Sequence, residues 1–338
     1  MVLVSVILPS YNQEEYIAES IESVLNQTFR ELELIIVDDS TDNSKEIIQR
    51  YRSKDKRIQA FFHKKKRGMV KALNEGIVIA KGKFIAFTNA DDVWANSKLE
   101  RQLEVLKENE DLIVWSEGEI IDSKGRPTGE TFTQKMADPS RLHPPQKSGD
   151  IFEELLCGNF IFFSSLILKK ENIGNIKFDK HLEYLNDYRF AIDLARRYKY
   201  CFIQEPLAKY RIHERSTVTD TKSYRRYTIV ASKYLLQKYG NEIPKSLKAK
   251  ILFRIGTNCA QVGQGTQARQ FILKAVYADL FGKDNVFYLI CVLGCKDSGI
   301  GKFLLRTYIT LVGLSMRFFK RLSPLRGREF FNLMVPYA

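Results

Sequence analysis

The segment Lys83-Phe-Ile-Ala-Phe-Thr-Asn-Ala-Asp-Asp92 is a short apolar run that stops on two adjacent carboxylates. Two acids at a strand end cost free energy unless a cation or a hydrogen-bonding ligand compensates them. In an open α/β sheet, ligands bind outside the carboxyl ends of the strands. Hard cations such as Mg²⁺ are commonly held by one or two carboxylates together with substrate phosphate oxygens. Taken alone, the segment leaves two readings open. It is either a metal-assisted site for a phosphorylated substrate or a solvated cap, with Asp92 capping a helix that starts near Val93.

Two further apolar runs have the same character. Val2-Leu-Val-Ser-Val-Ile-Leu8 leads into Pro9-Ser10-Tyr11-Asn12, and Leu32-Glu-Leu-Ile-Ile-Val37 ends on Asp38-Asp39. Between them Ile17, Ile21, Val24 and Leu25 recur at helical spacing. Ile47, Ile48 and Tyr51 mark a second helix, and Val70, Leu73 and Ile77 a third. Strand, helix, strand with polar groups at the strand ends predicts a parallel α/β sheet with right-handed crossovers. The three strand ends would bring Tyr11, Asp39 and Asp91 to one edge of that sheet. Repeated capping explains such a convergence poorly.

With these pieces assembled, the chain resembles the inverting family 2 glycosyltransferases of GT-A fold. The matching segments are Pro9-Ser-Tyr-Asn12, Val37-Asp-Asp-Ser-Thr-Asp42, Gly68-Met-Val-Lys-Ala-Leu-Asn-Glu-Gly76, Ala80-Lys-Gly82 and Asn89-Ala-Asp-Asp92. Asn186-Asp187 and Pro206-Leu-Ala-Lys-Tyr-Arg-Ile-His213 follow in the same order. The resemblance covers roughly residues 3–218. It implies a Rossmann-like, mostly parallel sheet flanked by helices, with a C-terminal α-helical extension. The domains it implies are 1–218 for catalysis, with 1–99 binding the nucleotide-sugar and 100–218 forming the acceptor side, and 219–338 as a helical region.

The resemblance also implies roles. A UDP-sugar, or a dTDP-sugar, would lie across the strand ends beside Pro9, with Tyr11 stacked on the base. Asp39 would accept a hydrogen bond from the base N3–H, which uracil and thymine carry and cytosine lacks. Without the family, Tyr11 reads as a core aromatic and Asp39 as a turn residue. The family's acidic motif is usually Asp-x-Asp, and here it is Asn89, Ala90, Asp91. Asn keeps a carbonyl acceptor and loses the charge, which weakens that position's share of the donor contact. Asp91 falls on the metal-ligand position for Mn²⁺ or Mg²⁺, with Asp92 behind it. Arg211 or His213 would contact the diphosphate or the metal. Asp187 would be the general base that takes the acceptor hydroxyl's proton. On residues alone it reads as an acid near a helix start, favourable through the helix dipole. One base and one displacement imply inversion.

Elsewhere the sequence says less. The other histidines have no zinc-type spacing and read as structural. Lys64 to Arg67 reads as a solvated basic loop. Trp94 and Trp115 are open to sugar stacking or to core packing. Gly158-Asn159-Phe160 is expected to touch donor sugar or acceptor. Residues 133–149, with Pro139, Pro144 and Pro145, read as an irregular loop. Five cysteines without a CxxC pair give no disulfide framework. Together with an opening that runs straight into the first strand, they lead to the expectation of a cytoplasmic protein.

The net charge of +13 would suit nucleic acid or an anionic membrane, yet no nucleic-acid-binding signature is present. Near the C-terminus Leu304, Tyr308, Leu311, Phe318 and Leu322 share one helical face, while Lys302, Arg306, Arg317, Lys320 and Arg321 share the opposite one. That pattern describes an interfacial helix for peripheral membrane binding, or a surface helix packing its stripe on the domain. The acceptor would be a saccharide or a lipid-linked saccharide, in bacterial cell-surface polysaccharide or lipopolysaccharide synthesis. Two rivals stand beside the transferase. One is a nucleotide-sugar-binding protein without catalysis, suggested by Asn89. The other is a sugar-nucleotidyltransferase, which would carry a Gly-rich, basic phosphate loop where Pro9-Ser-Tyr-Asn12 stands.

Overall fold

The first strand, β1 (Val4–Ser10), is buried at all seven positions. So is β2 (Leu32–Asp38). A strand covered on both faces belongs to a parallel sheet with helices on either side. The computed structural model describes residues 2–136, 147–179, 185–216 and 220–279. Its N-terminal half alternates as the periodicity predicts. After β1 come α1 (Ile17–Leu25), β2, α2 (Ser44–Lys54), β3 (Ile58–Phe62), α3 (Met69–Ile79) and β4 (Phe84–Phe87).

These strands pair in parallel in the order β3-β2-β1-β4, with Ser10 beside Asp38 and Ile7 beside Phe87. That register brings Tyr11, Asp39 and the Asn89–Asp92 loop out at the same edge. On the sheet face, α3 lies close enough to β1 that a Cβ on Gly76 would come within 2.6 Å of Ile7 Cγ2. Each Val, Leu or Ile buried here contributes ~1.5–3 kcal/mol.

Beyond β4 the topology changes. β5 (Val93–Trp94), α4 (Lys98–Glu108), β6 (Ile113–Ile121), β7 (Pro127–Thr131), α5 (Phe132–Lys135) and α6 (Phe152–Leu156) come next. A 3-10 turn at Phe163–Ser165, β8 (Ile167–Lys169), α7 (Lys170–Ile173), α8 (Asn186–Ala195), β9 (Tyr200–Arg211) and α9 (Thr221–Tyr239) follow. The sheet continues as β4-β8-β6-β9-β5, with β8 antiparallel to β4 and β9 parallel to β6. The result is a mixed α/β fold, a sheet flanked by helices with further helices at the C-terminal end.

The chain divides into two compact units, Met1–Ile243 and Pro244–Ala338. The first includes α9, which lies past the expected 218/219 boundary. In the second, α10 (Lys245–Gln261) and α11 (Gly265–Ala278) bury Ile251, Ile255 and Cys259 and, from α11, Ala268, Ile272 and Ala275. Among the described residues no helix is long and apolar enough to cross a membrane. The amphipathic segment at 302–322 lies outside the described residues.

Several expectations need correction. Asp92 caps no helix, because the chain enters β5 at Val93 and the next helix begins at Lys98. Trp94 and Trp115 are 2% and 0% exposed. Their indole N–H groups donate to the carbonyls of Ser164 at 2.7 Å and Lys147 at 3.1 Å. Both are core residues and stack on no sugar. The loop expected from Thr133 begins inside a helical turn, α5, whose Thr131 and Gln134 form a capping box.

Candidate active site

Two stitched loops form the first wall. Asn12 sits at φ 53°, a left-handed conformation that Asn tolerates better than most residues. Its N–H donates to Ser40 Oγ at 2.8 Å, and its Oδ1 accepts the Thr41 N–H at 2.8 Å. Gln13 N–H donates to Ser44 Oγ at 3.1 Å, and Glu14 accepts the Asn43 N–H at 3.0 Å. The β1–α1 and β2–α2 loops are therefore one hydrogen-bonded body. From it Tyr11 projects, 42% exposed, with Lys66 Nζ 4.0 Å from its ring centroid.

Asp39 is almost fully buried beside it. One carboxylate oxygen accepts the backbone N–H groups of Arg67 at 2.7 Å and Gly68 at 2.6 Å. Gly68, at φ 83°, is the residue that lets the chain turn these amides inward before α3 begins. The other oxygen faces His63 Nδ1 at 2.5 Å. His63 Nε2 in turn pairs with Glu75 Oε2 at 2.7 Å. A carboxylate oxygen has two lone pairs, so Asp39 Oδ1 has one left for a ligand donor. His63 was missed from sequence, since a single histidine outside any motif carries no spacing signal.

The second wall is built by β-pairing. Antiparallel β5 and β9 place Val93 beside Lys209, which carries the end of β9 onto the acidic loop more than a hundred residues earlier. Arg211 N–H donates to Asp92 Oδ1 at 3.1 Å. Asp92 Oδ2 accepts from Asn89 Nδ2 at 3.1 Å and from Ser164 Oγ. Burial first, and then the neighbouring Asp91 charge, push the Asp92 pKa up to about 8. Asp91 stays more open, and its Oδ2 lies 3.1 Å from His213 Nε2.

Arg211 is 2% exposed. Its guanidinium donates to Glu19 Oε2 at 2.5 Å, to the Asp91 carbonyl at 2.9 Å and to the Asp122 carbonyl at 3.3 Å. Ala90 is buried between these groups, and Pro9 is buried within β1 opposite Val37.

Asp187 lies in the first turn of α8. Burial raises its pKa above the ordinary carboxylate value, against the pull of the Tyr188 backbone N–H. Tyr210, near the end of β9, feels both this carboxylate and the acidic loop. That phenol is raised well above its usual value by burial first, and then by the charges of Asp92, Asp91 and Asp187. The three carboxylates thus lie within electrostatic reach of one side chain, which sequence reasoning had named only as part of the motif ending at His213.

A sequence model described as Glycosyl transferase family 2 matches residues 5–172. An uncharacterized glycosyltransferase of Methanocaldococcus jannaschii is 34% identical over 236 residues, 67% of this chain and 78% of that one. The chain belongs to glycosyltransferase family 2. Another relative, the putative teichuronic acid biosynthesis glycosyltransferase TuaG of Bacillus subtilis, is 32% identical over 52% of this chain and 65% of its own length. The fold is that of residues 1–349 of S. aureus TarS, solved with UDP-GlcNAc. The two superpose with a TM-score of 0.62 at 19% identity, over 86% of each chain. The mannosyltransferase PcManGT of Pyrobaculum calidifontis, solved with GDP-Man and Mn²⁺, gives a TM-score of 0.51 at 18% identity, over 91% of this chain and 79% of that one.

Proposed function

We propose that this family 2 glycosyltransferase moves a sugar from a UDP-sugar to an acceptor hydroxyl with inversion, in the assembly of a cell-surface polysaccharide. The observation that carries the reading is Asp39. It is buried, fixed by three donors, and left with one acceptor position beside the exposed face of Tyr11. A buried acceptor of this kind favours uracil or thymine over cytosine, because the wrong base leaves it unpaired. Base stacking on Tyr11 would add ~1–3 kcal/mol.

Asp187 is the general base. Its raised pKa makes its carboxylate a stronger proton acceptor than an exposed one, and positioned base catalysis contributes ~10²–10⁴-fold. As it takes the acceptor proton, the hydroxyl oxygen attacks the anomeric carbon and the nucleoside diphosphate departs from the opposite face. Arg211 works from behind, holding the Asp91 carbonyl and tying it to Glu19.

Among the described residues no group of three or more acidic, His or Cys side chains converges to hold a metal. Asp91 and His213 do lie together, and Mg²⁺ or Mn²⁺ can take its remaining ligands from diphosphate oxygens and water. The donor set fits on those terms, with Asp91 leading. His213 Nδ1 accepts the Arg215 N–H at 3.2 Å, so without a metal its Nε2 carries the proton and donates to Asp91. A bound divalent cation would neutralise charge developing on the leaving diphosphate.

The description of TuaG as a putative teichuronic acid biosynthesis glycosyltransferase supports a polysaccharide as the product. A saccharide or lipid-linked saccharide would be the acceptor, met at the inner face of the cell membrane. Release of UDP from a panel of UDP-sugars, with and without acceptor, tests the reading. No turnover of any UDP- or dTDP-sugar would overturn it.

A further inference from the structure

A groove of about 1240 Å³ opens beside Tyr11 and runs past the start of α3 to α8 and the end of α9. Eight lysines and arginines line it, against two aspartates. The aspartates are already engaged. Asp193 pairs with Arg189 at 3.4 Å and Lys238 at 2.6 Å, and Asp179 pairs with Arg189. Lys177 and Arg197, both exposed on the groove wall, have no carboxylate partner among the described residues. Glu75 pairs with Arg67 and Lys71, and Glu242 with Arg196, from outside the lining, so the lining is positive chiefly through Lys66, Lys177 and Arg197.

We propose that this groove binds the acceptor as an anionic chain, a saccharide or polyol whose successive units carry phosphate or carboxylate. The inference rests on the glycosyltransferase reading above and deepens it by naming the acceptor's chemistry.

Three observations favour this occupant. The volume exceeds the ~300–1,000 Å³ usual for a small-molecule pocket, which suits several linked units. The cations converge into a concavity, which fits a linear polyanion better than a flat bilayer surface. The groove also opens at Tyr11, on the wall of the donor site, so a chain lying on Lys177 and Arg197 runs up to that site. Arginine forks pair with phosphate and carboxylate alike.

The test uses the full chain at physiological ionic strength, which screens interactions that depend on net charge alone. Binding is measured for four probes: a short polyglycerol phosphate, an oligouronate, a neutral oligosaccharide and an oligothymidylate. The two anionic polyols or saccharides should bind, the tighter of them identifying the repeating group, while the neutral chain should not. The double variant Lys177→Ala/Arg197→Ala should bind the preferred anionic chain roughly ten-fold more weakly, the scale of one lost charge-assisted contact. Its affinity for UDP should stay unchanged.

A charge-matched double variant away from the groove, Lys107→Ala/Lys124→Ala, controls for the overall +13. Equal weakening by both pairs would overturn the proposal. So would oligothymidylate binding as tightly as the polyol phosphate, or the neutral chain binding as well as either. UDP binding is read separately in the same samples, so failure of the donor reading is distinguishable from failure of the groove.

Discussion

His63 Nδ1 faces Asp39 Oδ1 at 2.5 Å from the side opposite the Arg67 and Gly68 amides. The carboxylate is thereby held from both ends. His63→Ala would leave a buried carboxylate short of a donor and take one of three partners from Glu75, which keeps Arg67 and Lys71. The expected result is a loss of about 1–3 kcal/mol of stability and roughly ten-fold weaker UDP binding. UDP should also lose much of its advantage over CDP. Calorimetry with both nucleotides checks this, and lower stability with unchanged UDP affinity would make His63 a core residue only.

Asp187→Asn keeps the shape of the first turn of α8 and removes the base. We expect kcat to fall ~10²–10⁴-fold with UDP affinity nearly intact. Burial raises the wild-type pKa, so activity should rise with pH through a midpoint above the ordinary carboxylate value and then level off. The same burial makes the charge costly, so the Asn variant should melt no lower than wild type at neutral pH. Full activity in Asp187→Asn would direct the search for a base elsewhere.

Chelation by EDTA should abolish turnover, with Mn²⁺ or Mg²⁺ restoring it. In Asp91→Ala the cation should no longer strengthen UDP binding, whereas His213→Gln should retain part of that effect because Asp91 leads the donor set. UDP titrations with and without Mn²⁺ read all three proteins. Cation-independent UDP binding by wild type would sink the metal assignment.

Asp92 should make metal-free stability depend on pH. Its pKa is about 8 in the fold against 3.8 in the unfolded chain, so between these values the folded state binds a proton that the unfolded state has released. The stabilisation is fully present below the lower value and is lost as pH rises through the higher one. Thermal melts of the metal-free protein should show that decline, and Asp92→Asn should flatten it.

Lys98 has the opposite sign. It is fully buried, donates to Gln102 Oε1 at 2.8 Å and sits 3.8 Å over the Trp94 ring. Burial drives its pKa well below 10.5. The unfolded chain therefore takes up a proton that the fold refuses, and stability should climb as pH rises from neutral toward 10. Lys98→Met should remove that climb. At neutral pH the variant should gain what the wild type spends in giving up that proton, less about 1–3 kcal/mol for the Gln102 carbonyl left without its donor.

The parallel half of the sheet was legible because its strands are continuous apolar runs ending in acids, and its helices keep their apolar spacing. β3 was not, since only Ile58 and Ala60 of its five residues are buried, too few for either periodicity. β9 was visible only as a motif, because its middle, Gln204 to Pro206, is exposed. The meeting of Asp92 with Arg211 and of Asp91 with His213 depends on β5 pairing with β9. No local pattern encodes that contact. The two tryptophans misled for a related reason, as aromatic character does not reveal which side of a wall a ring faces.

The hydrogen bonds from Asn12, Gln13 and Glu14 to the segment Ser40–Ser44 carry a lesson for protein engineering. Grafting the first loop from a relative, without its companion, would strand donors and acceptors on both sides of the seam. Residues 10–14 and 38–44 should therefore be exchanged together. Chimeras with a breakpoint between them should express poorly, and those that move both should retain whichever base preference came with the pair.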